Sequence, residues 1–227
     1  MKKSKIDTIL LDIDGTLIDS EVYTIKSKII EGKKYGFDIK EEIVINTLGM
    51  SRDISEKYFK SIYGDNFPYE ELRVKRYDYI FEALEKNELQ YKNGAIELID
   101  YLEKNNYKYA LVSSSGHKLI NKYIKHLDLF KKFNIIITGD DIKNGKPNPD
   151  GFLLAVNKLN SKVENSLVIE DSKNGIFAAK NGNIRSAFIE DYVKLNDEIK
   201  SNSTYILNDL FDVITLLEDI NKGLFRN

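Results

Sequence analysis

The stretch Ile9-Leu10-Leu11-Asp12-Ile13-Asp14-Gly15-Thr16 places two carboxylates directly after an apolar run. Such a run, bounded by acidic residues, is typical of a buried strand. Two negative charges at the end of a buried strand are costly unless a cation or an incoming phosphate compensates them. The stretch therefore predicts a core strand that ends in a functional site.

The composition is that of a globular protein: 227 residues, 42% hydrophobic and 31% charged, with 34 basic and 36 acidic residues and a formal net charge of −2. The balanced charge gives no indication of nucleic acid or a membrane surface as a partner, and no apolar stretch approaches transmembrane length. The chain has no cysteine, which excludes disulfides, thiolate zinc sites and a cysteine nucleophile, and permits a reducing compartment. We expect a cytoplasmic protein, with a monomer as the default.

From residue 109 onward, short apolar runs alternate with helical periodicity, as is typical of βα units that build a parallel sheet covered by helices. The predicted strands span residues 6–11, 109–112, 134–137, 167–169 and 185–188. The predicted helices span residues 95–104, 118–126, 151–159, 174–181 and 209–221. The fold class is therefore α/β, with a Rossmann-like core and a mostly parallel sheet.

The region 20–86 breaks this rhythm, because it has helical spacings and no convincing strand. The spacings are those of Val22, Ile25 and Ile29, and of Ile54, Tyr58 and Ile62. We interpret the region as an inserted helical domain. The predicted boundaries give a discontinuous core domain of residues 1–18 and 90–227, and a helical domain of residues 19–89.

Polar residues follow the predicted strands at their carboxyl ends: Asp12, Asp14, Ser113, Glu170 and Asp171. In an open α/β sheet, ligands bind at this edge, so these distant residues are expected to meet in one site. Carboxylates there suit a hard divalent cation, and magnesium binds through one or two carboxylates plus water and phosphate oxygens. The pattern predicts a magnesium and phosphate site.

These residue types support phosphoryl transfer. Asp12 is the candidate nucleophile, which would attack phosphorus to form an aspartyl phosphate. Asp14 would protonate the leaving oxygen and later accept a proton from water. Ser113 and Lys146, the latter in the loop after strand 134–137, would bind the phosphate oxygens and stabilise the transition state electrostatically.

Four motifs in this order resemble those of the haloacid dehalogenase-like hydrolases, in the branch with a helical cap that includes sugar-phosphate phosphatases and β-phosphoglucomutase. The motifs are residues 11–17, 111–115, 146–150 and 168–172, and the resemblance covers nearly the whole chain. It implies that Asp12 is the nucleophile and Asp14 the acid/base. It also implies that Mg²⁺ is bound by Asp12, the backbone carbonyl of Asp14 and Asp171, with Glu170 close by.

Four further residues have weaker signals. Residues 49–52 resemble the family's substrate-specificity loop, so Arg52 is a candidate ligand for a distal phosphate or carboxylate, with a solvated arginine at a helix start as the alternative. Ser114 is a further candidate for phosphate or substrate binding. Lys75 resembles a cap lysine that faces the active site in some relatives, but a charged outer helix face explains it equally well. His117 is expected either to meet the substrate or to begin a helix.

The resemblance implies a phosphatase that acts on a small phosphorylated metabolite, such as a sugar phosphate or a similar phosphomonoester. A β-phosphoglucomutase is the alternative, because water and a sugar hydroxyl compete as acceptors at one site. Thr24 stands where mutase relatives tend to have a cap histidine, which favours the phosphatase. The pair Glu170-Asp171 weighs slightly the other way, because it resembles the mutase and sugar-phosphatase branch better than the branches with two aspartates. A non-catalytic protein on the same fold has no support, since every catalytic residue type is present.

Overall fold

A parallel sheet of six strands forms the centre of the structure, a computed structural model that describes residues 5–223. The strands are β1 (Thr8–Leu11), β2 (Lys108–Val112), β3 (Ile136–Ile137), β4 (Ser166–Glu170), β5 (Arg185–Ile189) and β6 (Tyr205–Leu207). Their order across the sheet is β3-β2-β1-β4-β5-β6. The α/β class and the Rossmann-like parallel sheet are therefore confirmed.

The central strand β1 is buried along its whole length, as expected of a parallel strand covered on both faces. Leu11, its last residue, pairs with Leu111 of β2 and with Ile169 of β4. The three strands therefore end at almost the same level. This register brings the residues that follow them to one edge of the sheet.

Four of the five helices between β1 and β2 form an insert, which we define as residues 21–85: α1 (Glu21–Lys34), α2 (Glu41–Ile45), α3 (Arg52–Tyr63) and α4 (Tyr69–Glu85). The remaining helices are α5 (Ala95–Lys104), α6 (His117–His126), α7 (Asp150–Lys158), α8 (Lys173–Asn181), α9 (Asp197–Asn202) and α10 (Leu210–Asn221). Helices α5, α6 and α10 contribute to the apolar core on one face of the sheet, and α7 and α8 to the core on the other face. No helix within residues 5–223 is long and apolar enough to cross a membrane.

Two elements were not predicted from the sequence. Strand β6 has three residues and lies at the edge of the sheet, where Ile206 is 40% exposed. Helix α9 has six residues, of which Ile199 is buried. Neither is long enough to produce a periodic apolar pattern.

The insert has its own apolar cluster, in which the ring of Phe59 stacks on that of Phe67 at 5.0 Å between centroids. The sequence correctly predicts that α3 is a helix, but the apolar spacing of Ile54 and Ile62 does not mark its buried face. Both side chains are more than one third exposed, whereas Ser55 and Phe59 are buried. The large aromatic ring therefore determines which face of α3 packs inward.

The two chain segments that connect the insert to the sheet lie side by side. The backbone N–H of Asp19 donates to the carbonyl of Gln90 at 2.9 Å, and that of Lys92 donates to the carbonyl of Leu17 at 2.9 Å. Both predicted boundaries, at 18/19 and 89/90, fall in these segments. The division into two domains remains a proposal, which this close pairing of the connections supports.

Candidate active site

A cavity of about 80 Å³ lies between the carboxyl edge of the sheet and the insert. The sheet contributes Asp12, Asp14 and residues 113–116 to its wall, and the insert contributes Glu21, Thr24, Lys28, Arg52, Arg73 and Arg76, among others. A larger cleft of about 980 Å³ shares Arg52, Arg73, Ser114 and Gly116 with it. The cavity therefore adjoins a larger cleft that opens at the surface.

Lys146 lies at the floor of the site between two carboxylates. Its ammonium donates to Oδ1 of Asp12, to Oε1 of Glu170 at 2.5 Å and to the carbonyl of Val112 at 3.2 Å. The other oxygen of Glu170 accepts from the backbone N–H and the hydroxyl of Ser172, at 2.9 and 2.8 Å. Both oxygens of Glu170 therefore accept hydrogen bonds, one from Lys146 and the other from the turn at Ser172.

Asp171 lies beside the loop that follows β1. Its Oδ1 accepts from the hydroxyl of Thr16 at 2.7 Å, and its other oxygen approaches Gly15. Gly15 has a φ of 90°, and a Cβ at this position would overlap the Asp171 carboxylate. The Asp-x-Asp-Gly turn therefore requires glycine, both for its backbone conformation and for the close approach of Asp171.

The carboxylate of Asp14 is held by hydroxyl groups. It accepts from Ser20 at 2.7 Å, from Tyr123 at 2.8 Å, from Ser115 at 2.9 Å and from Ser113 at 3.4 Å. The sequence analysis includes Ser115 in the second motif without a role, and does not identify Ser20 or Tyr123 as site residues. Tyr123 occupies a buried position on α6, which from the sequence alone is typical of a core aromatic residue.

Buried acidic groups outnumber buried basic groups around Asp12. The three carboxylates of Asp12, Glu170 and Asp171 are buried beside one buried cation, Lys146. Burial raises the pKa of Asp12 to about 8, although the charge of Lys146 acts in the opposite direction. Burial, together with the charge of Glu170, also holds the pKa of Asp171 well above its usual range. The single charge of Lys146 therefore does not fully compensate these carboxylates.

This donor set fits Mg²⁺. Asp12 and Asp171 have carboxylate oxygens at the site, and the backbone carbonyl of Asp14 lies in the same loop. Residues 5–223 contain no group of three acidic or histidine side chains arranged as a metal centre. Magnesium does not require one, since it is usually held by one or two carboxylates plus water and substrate phosphate. The side chains of the other two predicted metal ligands, Glu170 and Asp14, accept hydrogen bonds on both of their carboxylate oxygens.

The metal-free protein is expected to lose stability as the pH rises from about 4 to about 8. The pKa of Asp12 is raised from 3.8 to about 8, so the folded state retains a proton that the unfolded state releases. The stabilising contribution is complete below the unfolded pKa and is lost as the pH passes the folded pKa. Thermal unfolding in EDTA should therefore give a falling Tm across this window. Added Mg²⁺ should raise Tm more at the alkaline end than at the acidic end.

Asp12→Asn is the matched variant for this measurement, and its Tm in EDTA should depend less steeply on pH. A Tm that rises through the window in EDTA, or a Mg²⁺ effect that is equal at both ends, would contradict the charge imbalance.

The weaker candidates lie at different distances from the cavity. Arg52 lines its rim but is exposed and donates to Glu70 at 2.6 Å. Ser114 also lines it, and its hydroxyl is 3.5 Å from the carbonyl of Gly49. Lys75 is instead exposed on α4 and pairs with Asp78 at 3.3 Å. His117 is exposed and faces two aspartates of the core, at 3.5 and 3.2 Å. Lys75 and His117 are therefore not part of the inner cavity.

The insert also places charges at the cavity that the sequence analysis missed. Glu21 and Lys28 of α1 are buried, and Arg76 of α4 is half-buried with its Nε fully covered. The neighbouring residue Lys75 was considered in place of Arg76. A signal was present in the sequence, since Glu21, Thr24 and Lys28 recur at the spacing of one helix face. A polar stripe on a helix is usually solvated, so the pattern alone predicts exposure.

Comparison with known proteins places the chain among hydrolases. A family model described as haloacid dehalogenase-like hydrolase matches residues 9–189. A probable pseudouridine-5'-phosphatase from Drosophila melanogaster is 31% identical and aligns over 92% of this chain and 91% of its own length. A phosphorylated carbohydrates phosphatase from Thermotoga maritima is 27% identical over 81% and 84% of the two chains. The crystal structure of a hydrolase from Pseudomonas syringae has the same fold, with a TM-score of 0.83, 24% identity and coverage of 94% of this chain and 99% of the other.

Proposed function

The chain belongs to the haloacid dehalogenase-like hydrolases, and is a phosphatase of that family, and we propose that it is a Mg²⁺-dependent enzyme that hydrolyses a small phosphorylated metabolite through an aspartyl phosphate on Asp12. The substrate is a sugar phosphate or a similar phosphomonoester. The observation that carries the proposal is the buried arrangement of Asp12, Lys146 and Asp171 at one sheet edge, with carboxylates in excess of cations.

Asp12 performs the first step. Lys146 holds its Oδ1, and no residue within 5–223 donates a hydrogen bond to its Oδ2. One carboxylate oxygen attacks phosphorus as the bond from phosphorus to the leaving oxygen breaks, which gives the aspartyl phosphate. Lys146 stays charged during this step, because its carboxylate neighbours outweigh the effect of burial and raise its pKa above the usual range. Its charge offsets the negative charge that develops on the phosphoryl oxygens.

Asp14 moves the protons. In its protonated form it donates to the leaving oxygen, and as a carboxylate it then accepts a proton from the water that attacks the phosphorus of the aspartyl phosphate. That attack breaks the bond between phosphorus and Asp12 and releases phosphate. The hydroxyls of Ser20, Tyr123 and Ser115 hold the carboxylate beside the cavity. Ser113 and Ser114 lie next to it, where phosphate oxygens would bind.

Mg²⁺ would be held by Asp12, Asp171 and the backbone carbonyl of Asp14. When bound, it supplies positive charge that reduces the repulsion between the carboxylates and the phosphate. Thr16 orients Asp171 for this role through the hydrogen bond to its Oδ1. Glu170 takes the role of positioning Lys146 rather than that of a ligand, because both of its oxygens are engaged.

The two relatives support a phosphomonoester as the substrate, since one is named as a pseudouridine-5'-phosphatase and the other as a phosphatase of phosphorylated carbohydrates. The mutase alternative has less support. Thr24, buried in the cavity wall, stands where the resemblance places a histidine in mutases. The two histidines of the chain, His117 and His126, do not line the inner cavity.

Phosphorus NMR of the purified protein with a panel of sugar phosphates tests the proposal. The panel includes β-glucose 1-phosphate with a trace of glucose 1,6-bisphosphate. We expect the inorganic phosphate signal to grow with Mg²⁺ and to stay at background with EDTA. Formation of glucose 6-phosphate without phosphate release would instead establish the mutase. Equal phosphate release in EDTA would overturn the magnesium requirement.

A further inference from the structure

A buried ammonium group in the cavity has no anionic partner. Lys28 of α1 is 7% exposed and lines the cavity. Its Nζ lies over the rings of Phe59 and Tyr69, at 4.4 and 5.7 Å from their centroids. Within residues 5–223, no carboxylate oxygen lies within ion-pairing distance of this nitrogen and no acceptor forms a hydrogen bond with it. A buried ammonium group without a hydrogen-bond acceptor is costly, and a ligand with negative charge would offset that cost.

A second cation in the same wall is only partly satisfied. The Nε of Arg76 on α4 is buried and has no hydrogen-bond partner among the described residues. One terminal nitrogen of the guanidinium is 3.5 Å from the hydroxyl of Ser115, at the limit of a hydrogen bond. Charged donors are satisfied in most buried sites, so two incompletely partnered cations in one cavity indicate a place for an anion.

The acid whose charge acts on Lys28 is Glu21, whereas Arg76 also interacts with the charge of Asp14. Burial, with the charge of Asp14, raises the pKa of Glu21 to about 8, so Glu21 is largely neutral at physiological pH. Burial and the charge of Arg76 together lower the pKa of Lys28 to about 7. An anion bound beside Lys28 would restore its full charge. Neutral Glu21 can then donate a hydrogen bond to the same ligand.

Lys28 and Asp12 line the same cavity, so one small molecule could contact both residues. Glu21, Thr24 and Lys28 all face the cavity from α1. The seven-residue step from Glu21 to Lys28 is about 10 Å along a helix, and helical side chains lean back toward the N-terminus, here toward Glu21. Asp12 and Lys28 lie in the wall of one cavity of about 80 Å³. A ligand whose phosphate is at Asp12 therefore occupies the same cavity that Lys28 faces.

We propose that Lys28 and Arg76 form a subsite for a second anionic group on the leaving part of the substrate, so that the enzyme prefers compact phosphomonoesters with a carboxylate or a second phosphate. This inference rests on the proposed function, because it assigns the phosphate that is cleaved to Asp12. It differs from the predicted role of Arg52, which lies at the exposed rim and is paired with Glu70.

Matched pairs of substrates test the subsite. 3-Phosphoglycerate and glycerol 3-phosphate differ by a carboxylate in place of a hydroxymethyl group. Propane-1,3-diol bisphosphate and 3-hydroxypropyl phosphate differ by the second phosphate. We expect a higher kcat/KM for the charged member of at least one pair, and that pair identifies the second anion. Lys28→Met should reduce this preference by about 10- to 100-fold, as expected for loss of a buried charged hydrogen bond.

Lys26→Met is the matched control, because Lys26 is exposed on the same helix. The preference of Lys26→Met for the charged substrate of the pair, measured as kcat/KM, should equal that of the wild type. Circular dichroism of both variants checks that they are folded. A wild type without preference in either pair would overturn the subsite. A Lys28→Met variant that loses activity equally on both members would show that Lys28 supports the insert instead.

Calorimetry with the Asp12→Asn protein gives a readout that does not depend on turnover. It should bind 3-phosphoglycerate or the bisphosphate more tightly than the neutral partner, and addition of Lys28→Met should remove the difference. If the wild type hydrolyses none of the four compounds, nor p-nitrophenyl phosphate, the proposed function fails, while this binding preference still decides the subsite. Equal binding of both members of each pair would overturn it.

Discussion

Asp12→Asn is expected to lower phosphatase turnover by on the order of 10⁴-fold or more, because an amide does not replace the carboxylate as a nucleophile. The side chain keeps its shape, and its oxygen can still accept from Lys146, which remains paired with Glu170. The substitution also removes a carboxyl group whose burial is unfavourable when it is charged. We therefore expect Tm at neutral pH to be maintained or raised. Steady-state phosphate release and thermal unfolding measure the two effects.

Asp7→Asn is the control at the other end of β1. Asp7 directly precedes the strand, where it accepts from the hydroxyl of Thr8 at 2.8 Å and from the amide of Asn165 at 3.4 Å. An asparagine oxygen retains the shorter contact, so activity should stay near the wild-type value. Residual activity of Asp12→Asn within tenfold of the wild type would remove Asp12 from the nucleophile role. An equal loss in Asp7→Asn would mean that the assay reports damage to the sheet.

Lys146→Met is expected to have the second largest effect, on both stability and activity. Lys146 is buried, and without its charge Asp12 and Glu170 face each other with no cation between them. Removal of one partner from a buried ion pair typically costs about 3–5 kcal/mol of unfolding free energy. Loss of a preorganised charge at the reacting phosphate should lower kcat by about 10²- to 10³-fold. Urea unfolding and phosphate release are the measurements.

Lys158→Met serves as the comparison, because Lys158 is exposed on α7. Its unfolding free energy should lie within about 0.5 kcal/mol of the wild-type value. A Lys146→Met protein as stable as the wild type would mean that the two carboxylates are protonated or separated when the lysine is absent. Wild-type kcat in that variant would remove Lys146 from transition-state stabilisation.

The prediction from sequence was most accurate for residues near strand ends. A buried parallel strand appears as a continuous apolar run, and Leu11 is followed at once by Asp12. Once the strands are placed, the parallel arrangement requires that their carboxyl ends share an edge. This is why Asp12, Ser113 and Asp171 could be assigned to one site across more than 150 residues.

The insert was harder to predict, because amphipathic spacing identifies a helix more reliably than the face that it buries. On α1, Val22 belongs to the predicted apolar spacing but is 37% exposed. Glu21 and Lys28 are buried instead, because that face of α1 lines the cavity above Asp12. On α4, Arg76 and not Lys75 lines the cavity, a difference of one residue that rotates a side chain by about 100° around the helix.

Local sequence patterns were sufficient to predict the α/β class, the location of the inserted helices and the residues that follow the central strands. They were sufficient because apolar runs, helical periodicity and strand ends are local properties of the chain. Only the tertiary structure decided that hydroxyls hold Asp14, that Glu170 holds Lys146 and that Lys28 and Arg76 enter the cavity. These contacts join residues far apart in the chain. They depend on how the insert packs against the sheet, which no local pattern encodes.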